Sequence, residues 1–425
     1  MNAPENWDRL IFAGIAASFF SVTFSVTLCE GGLGLAAAAM TAKYFAANVR
    51  PQFSALAGPV LRVICAAWLF YLLAGALSAS FAIDAGRSFS ALGSDVVKCL
   101  AFAVLLLSCD KKLVARARPY YVAGACISAL WGLVQLIATS GPDGLGRASG
   151  SLSAVTYCEV LSLSAIAAFA AFFHSSGRSR FLYGLSAALL SAGVLAGQGR
   201  ASMGALFAAL VIMLFCAGRG RRGVFAVALA VLMLAGGIFA TRSQRMKSVP
   251  VFVAGLYKTV VLGEQVSLDQ NISGWDRLEM WRAGAAICRD YPLLGIGPAN
   301  IRNAFDFYHP QPLSGAQGDE FGLANVHNLF IQQAAERGLL GLAALLSLLW
   351  AMFYASVRWF RSVADENTLW FLAAFPAFLL MNLTETTMQH ALPAFSIFFA
   401  LAAARASADG SNVIIDSPKT ASEGV

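Results

Sequence analysis

Apolar runs of membrane-spanning length recur along this chain, and no other feature restricts its possible folds so severely. Met1 to Arg9 is short and polar, and the run from Leu10 to Leu28 is too long for a signal-peptide core and lacks a small-residue cleavage site. It reads as a retained first span. Further runs fall at 31–48, 59–83, 93–109, 119–138, 158–173, 182–197, 202–217, 223–240, 338–357, 368–383 and 391–405. With 58% hydrophobic and 12% charged residues and a mean hydropathy of +0.67, a soluble domain is excluded. The expected fold is all-α, a polytopic integral membrane bundle of about twelve transmembrane helices.

Lys and Arg orient this bundle. Lys111, Lys112, Arg116 and Arg118 follow the fourth run and Arg178 and Arg180 the sixth. Arg219, Arg221 and Arg222 follow the eighth, and Arg358 and Arg361 the tenth. All four clusters fall on one side if the N-terminus is cytoplasmic, as the positive-inside rule requires, and both termini are then cytoplasmic. The other side receives short loops near 84–92, 140–157, 198–201 and 384–390, and one long segment from Thr241 to Val326. The chain thus divides into an N-terminal transmembrane bundle (1–240), an outer loop domain (241–337), C-terminal transmembrane helices (338–405) and a disordered cytoplasmic tail (406–425).

Several chemistries are set aside by the same pattern. The formal charge of +7 is read loop by loop, because nucleic acid is no partner for a chain this apolar. Of eight cysteines only Cys288 lies within the long loop, which therefore holds no internal disulfide. No Cys-x-x-Cys or His-Glu-x-x-His pattern occurs, so neither a metal site nor another cofactor is expected. The first five spans read as scaffold. Glu30 and Asp84 sit at the outer interface, and Gly75 to Ser80 offers small residues for close helix packing.

The stretch from Val326 to Gly341 carries the most chemistry. It begins with His327-Asn328, in a chain of four histidines, and ends in a Gly-x-x-Gly, Gly338 to Gly341, that opens a long apolar run. Asn325 is placed as the N-cap of a helix reaching Arg337, which puts His327 in line with Phe330, Ile331 and Ala334. Gly338 suits a stop or bend. An interfacial histidine can simply cap a helix near the headgroups; it can also titrate near neutrality and take or hold a hydroxyl proton.

Three arginines share its side of the bundle. Arg147 lies in the turn-rich loop Gly141–Ser151, as a solvated side chain or as a phosphate grip. Arg200 is held between two spans with almost no loop, so it either snorkels or serves a function. Arg277 lies in Trp275–Ile287, a helical stretch whose Leu278, Trp281 and Ala285 are expected to face the protein; Arg277 either pairs with Asp276 or Glu279 or meets substrate. Tyr291 to Pro298 must then turn. His309, Asp319, Glu320, Glu385 and His390 remain available as contacts, whereas His174 falls on the opposite side.

His-Asn, nine residues, then Gly-x-x-Gly resembles the signature of the O-antigen ligase and polymerase superfamily of polytopic glycosyltransferases. Arg147, Arg200 and the Arg277-x-x-x-Trp281 helix followed by Pro292-Leu-x-Gly-x-Gly297 match it at three more places, so the resemblance runs from Arg147 to His390. It implies a GT-C-like fold in the bacterial inner membrane with the site at the periplasmic face. It also implies a metal-independent, inverting displacement at the anomeric carbon of a glycan carried on undecaprenyl pyrophosphate. His327 takes the catalytic position. Arg200, Arg277 and Arg147 take the pyrophosphate, and Asn328, Trp281, His309 and Glu385 become possible substrate contacts.

Within that family the expected activity is transfer of O-antigen polysaccharide onto lipid A–core oligosaccharide during lipopolysaccharide biosynthesis. O-antigen polymerisation and protein O-oligosaccharide transfer use the same lipid-linked donor and are the alternatives. A transporter of the lipid-linked glycan is the rival of another class, and it would place ionisable residues along a path through the bilayer midplane. The candidates here gather at one face instead. A structural membrane scaffold, in which these residues are replaceable, is the third reading.

Overall fold

Apolar runs that close their backbone hydrogen bonds internally become helices, and the computed structural model of the chain shows helices wherever such runs occur. It describes residues 3–47, 58–140, 146–216, 219–243, 254, 275–308 and 325–415, among which no strand is found. The helices are α1 (Ala3–Ser21), α2 (Val26–Ala47), α3 (Pro59–Ser80), α4 (Ala85–Ser108), α5 (Lys111–Thr139), α6 (Ala154–His174) and α7 (Gly177–Ala196). They continue as α8 (Arg200–Cys216), α9 (Arg219–Arg242), α10 (Trp275–Asp290), α11 (Ile301–Tyr308), α12 (Leu329–Ser362), α13 (Glu366–Asn382) and α14 (Ala391–Ile415). Seven of them (α3 to α7, α12 and α14) are long and apolar enough to cross a membrane, and α8 and part of α9 are shorter apolar helices. The described residues thus form an all-helical bundle with seven candidate membrane spans, consistent with a polytopic membrane protein.

Three expectations are corrected. The first apolar run does not continue to Leu28: α1 ends at Ser21 and α2 starts at Val26. Ser21 Oγ donates to Ala17 O (2.7 Å), Ser18 Oγ donates to Cys29 O (2.7 Å) across the hairpin, and Ser25 Oγ accepts from Leu28 N (3.3 Å). These hydroxyls supply the turn without a glycine or proline. The chain is also not a free tail from 406. α14 runs to Ile415, and Ala406, Ser407 and Ala408 are buried, with Asn367 Nδ2 donating to Ser407 Oγ (3.0 Å). On α10 the buried face is Met280, Ala283, Gly284 and Ile287; Trp281 is only partly buried and Ala285 is exposed.

The core lies between α1, α3, α5, α6, α13 and α14. Phe19 stacks on Phe399 (centroids 3.8 Å), Tyr121 lies 5.5 Å from Trp370, and Trp68 meets Phe398 edge-on at 5.8 Å. α12 packs along α3, and α13 packs against both α8 and α6.

One bend shapes the end of the bundle that matters here. Gly338 interrupts α12 with φ 65° and ψ −170°, a conformation only glycine adopts without strain, so the expected bend is present. The bend releases helix hydrogen bonds, and the segment Pro292–Gly297 takes them up. Ile296 N and Gly297 N donate to Ala335 O (3.1 Å) and Glu336 O (2.8 Å), while Leu339 N and Leu340 N donate to Pro292 O (2.7 Å) and Leu293 O (3.3 Å). Ser78 Oγ of α3 closes the junction on Leu294 O (2.7 Å) and Glu336 O (3.0 Å). Pro-Leu-x-Gly-x-Gly and Gly-x-x-Gly are thus two halves of one backbone junction. Ile83 N reaches Ile296 O (3.1 Å), and Arg87 Nη1 reaches Asn303 Oδ1 (3.1 Å), tying the same segment to the α3–α4 corner.

Candidate active site

α12 begins at Leu329, later than expected, and its N-cap is Asn328, not Asn325. Asn328 Oδ1 accepts from Phe330 N and Ile331 N (both 3.0 Å), and its Nδ2 donates to Leu383 O (2.8 Å). Asn328 is therefore a cap that also pins the α13–α14 turn. His327 precedes the helix with φ 51°, so it does not share a face with Phe330, Ile331 and Ala334. A non-glycine residue in that region costs about 1–3 kcal/mol and persists only where its surroundings hold it. Asn325 does so: its Oδ1 accepts from His327 N (2.7 Å), and its Nδ2 bonds Thr386 Oγ1.

The imidazole is turned toward the loop after α13. His327 Nδ1 lies 2.8 Å from Glu385 Oε2. Glu385 Oε1 takes a salt bridge from Arg277 Nη2, and Arg277 Nη1 donates to Thr384 O (2.7 Å). Arg277 thus reaches across to the turn after α13, while Glu279 pairs with Arg282 (2.5 Å). Burial pushes the Glu385 carboxyl up, but the His327 hydrogen bond and the charge of Arg277 outweigh it and hold it below the ordinary carboxylate range. It is an anion whose two oxygens serve two different partners.

Arg200 opens α8 half-buried, within electrostatic reach of Arg277, Glu385 and Arg147. Arg147 Nε donates to Gly197 O (2.9 Å), and Ala148 N donates to Ala196 O (3.1 Å), at the α7–α8 turn. Two glutamines hold the backbone around it. Gln198 Nε2 donates to Gly146 O (2.7 Å) and its Oε1 accepts from Ser243 Oγ (2.7 Å), while Gln135 Oε1 accepts from Ser149 N (3.1 Å) and Gly150 N (2.8 Å). The structure therefore brings His327, Glu385, Arg277, Arg200 and Arg147 to one end of the bundle. Three guanidiniums meet one carboxylate there, an excess of positive charge suited to a polyanionic group.

Other sequence candidates fall elsewhere. Trp281 packs against the small cluster formed by Met280, Ile287 and Phe305. His309, Asp319, Glu320 and residues 141–145 lie outside the described residues. His174 sits at the far end of α6, bonded to Ala170 O (3.0 Å). Two charged clusters lie beside the site, and of their members the sequence had offered only His390 as a contact. Asp95 pairs with Arg337 and with Lys98 (3.4 Å), and Glu159 accepts from Thr387 Oγ1 (2.6 Å) and lies 3.0 Å from His390 Nδ1. The available signal was a charge inside an apolar run, which a membrane segment retains only when it is paired.

Part of this end of the bundle falls in a segment that is similar to a known family. Residues 185–346, which include Arg200, Arg277 and His327, match the family model described as O-antigen ligase. No curated protein matches the chain. Over that segment the chain is similar to the O-antigen ligase family, a family of membrane glycosyltransferase-like enzymes.

Proposed function

We propose that the protein is an inner-membrane ligase that transfers O-antigen polysaccharide from undecaprenyl pyrophosphate to lipid A–core oligosaccharide. Twelve helices, all but α10 and α11, cross the bilayer in this reading, and the site opens on the periplasmic face with both termini in the cytoplasm. The observation that carries it is the His327–Glu385–Arg277 chain beside Arg200 and Arg147, within and next to the segment that matches the O-antigen ligase family.

The chemistry follows from the residues. The acceptor hydroxyl oxygen attacks the anomeric carbon, the bond from that carbon to the pyrophosphate oxygen breaks, and the pyrophosphate leaves with the electron pair. Charge grows on the leaving group, and the arginines stabilise it. With Nδ1–H given to Glu385, the neutral His327 ring carries its lone pair on Nε2, the nitrogen that takes or orients the hydroxyl proton. Tautomer and ring angle are thereby set by Glu385. Asn328 and Trp281, held by structural contacts, act on substrate only indirectly in this reading.

The test is complementation: lipopolysaccharide from cells lacking and then regaining this chain, resolved by mass. Loss and return of glycan on lipid A–core supports the reading. Unchanged lipopolysaccharide together with altered polymer length or altered glycoprotein would replace it with the polymerase or protein glycosylase reading.

A further inference from the structure

Glu159 lies in the second turn of α6 with none of its side chain exposed. A carboxylate in such a place costs several kcal/mol unless its oxygens are engaged. Both are, and both engage the same short turn between α13 and α14. Oε1 accepts from Thr387 Oγ1 at 2.6 Å, and Oε2 lies 3.0 Å from His390 Nδ1. That turn is the one that carries Glu385. Its other fixings hold the first half of the turn or are internal: Arg277 of α10 on Thr384 O (2.7 Å) and Glu385, Asn328 on Leu383 O (2.8 Å), Asn325 on Thr386, Met388 N to Asn382 Oδ1 (2.9 Å) and Gln389 N to Thr386 O (2.8 Å). Glu159 is therefore the anchor that ties the Thr387–His390 half of the turn to a neighbouring helix.

We propose that Glu159 and His390 are positioning residues, a second carboxylate–imidazole pair that clamps the 384–390 turn to α6 and so holds the Glu385 carboxylate against His327 and Arg277. The role rests on the glycosyl-transfer reading above. Neither residue needs to touch substrate. The charged groups facing His390 are Glu159 from α6, Glu385 from its own turn and Lys98 from α4. Burial and Lys98 disfavour the imidazolium, but Glu159 and Glu385 outweigh them and raise His390 above the usual histidine value of 6.5. The ionic clamp is accordingly complete below pH 6.5 and weakens as pH rises through the raised value.

The experiment uses the full-length protein in lipid nanodiscs, as Glu159→Gln and His390→Gln, each alone and combined with Glu385→Gln. Transfer from lipid-linked glycan should fall about 10- to 100-fold in each single variant, the usual cost of losing an orienting partner, with the donor KM unchanged. The alkaline limb of the pH profile should move to lower pH in Glu159→Gln and lose its His390 component in His390→Gln. Adding either change to Glu385→Gln should cause no further loss, because all act through one carboxylate. Wild-type rates, or losses that multiply in the Glu385→Gln background, overturn the clamp. A second reading needs no substrate: the ¹⁵N resonances of the His327 ring should show a mixed tautomer in Glu159→Gln and a single one in the parent. Unchanged ¹⁵N resonances also overturn the clamp. If the parent itself transfers nothing, the glycosyl-transfer reading fails, and the ¹⁵N spectra still decide the clamp.

Discussion

His327 and Glu385 are separated by 58 residues of sequence and by 2.8 Å in space. The carboxylate meets the ring at Nδ1, and its second oxygen is bound by Arg277 from a third segment. One anion thus joins three stretches of chain: helix α10 within the long outer segment, the start of α12 and the turn before α14.

That arrangement makes Glu385 the group whose loss should imitate a defect in His327. Glu385→Gln keeps an acceptor for Nδ1–H but removes the charge that holds Arg277. Transfer should fall by about 10- to 100-fold, and Glu385→Ala should lose more. A single-turnover assay with lipid-linked glycan measures both, and unaltered rates would show that the ring needs no such partner.

Arg277 and Arg200 differ in what surrounds them, and their variants should differ too. Arg277→Ala removes a partner of Glu385 as well as a cation, so combining it with Glu385→Ala should cost less than the two single losses multiplied together. Arg200→Ala leaves the Arg277–Glu385 salt bridge in place, so with Glu385→Ala its loss should come nearer to the product of the single losses than that of Arg277→Ala does. Arg→Lys at either position should restore part of the activity, because an ammonium lacks the paired donors of a guanidinium. A double-mutant cycle on transfer rate checks all three statements.

Acid should act through Glu385 later than for an ordinary carboxylate. Its folded-state pKa lies below 4.5, so its contribution to stability is present above 4.5 and lost as pH falls through the lower folded value. Thermal melting in detergent should therefore show no loss from this group between neutral pH and 4.5, with a decline only below. Glu385→Gln should remove that part of the decline, and an identical acid profile in the variant would contradict the assignment.

Gly338 offers a test of the fold. A Cβ there would lie 2.2 Å from the carbonyl carbon of Leu293, and φ 65° is strained for any other residue. Gly338→Ala should destabilise by about 1–3 kcal/mol from the backbone alone, with displacement of Pro292–Gly297 in addition. Limited proteolysis should then cut within 291–300, where the parent resists.

Much of this molecule could be read from its residues because apolar length and glycine placement act locally. The apolar runs marked the helices, and Gly338 marked the bend. The α1–α2 turn escaped because serine hydroxyls make it from residues that resemble a span, and α14 outran its apolar run because Ser407 finds Asn367. The candidate site was legible as a list, His327 with Arg147, Arg200 and Arg277, since each is costly at a membrane rim. Its wiring was not. Glu385, Asn328 and His390 read only as possible contacts, because pairing across 58 to 231 residues leaves no periodic trace. A carboxylate inside an apolar run, as at Glu159 and Asp95, was the one available sign of such pairs.

The central claim is that His327 acts on the acceptor hydroxyl. The most direct measurement is transfer of lipid-linked O-antigen to lipid A–core by purified, reconstituted protein, comparing the parent with His327→Ala and His327→Gln and measuring donor binding alongside. The account predicts a loss of about two to four orders of magnitude in His327→Ala, with donor binding largely kept. Substantial activity in His327→Gln would assign orientation of the hydroxyl, and none would assign proton removal. Transfer at the parent rate by His327→Ala would contradict the account.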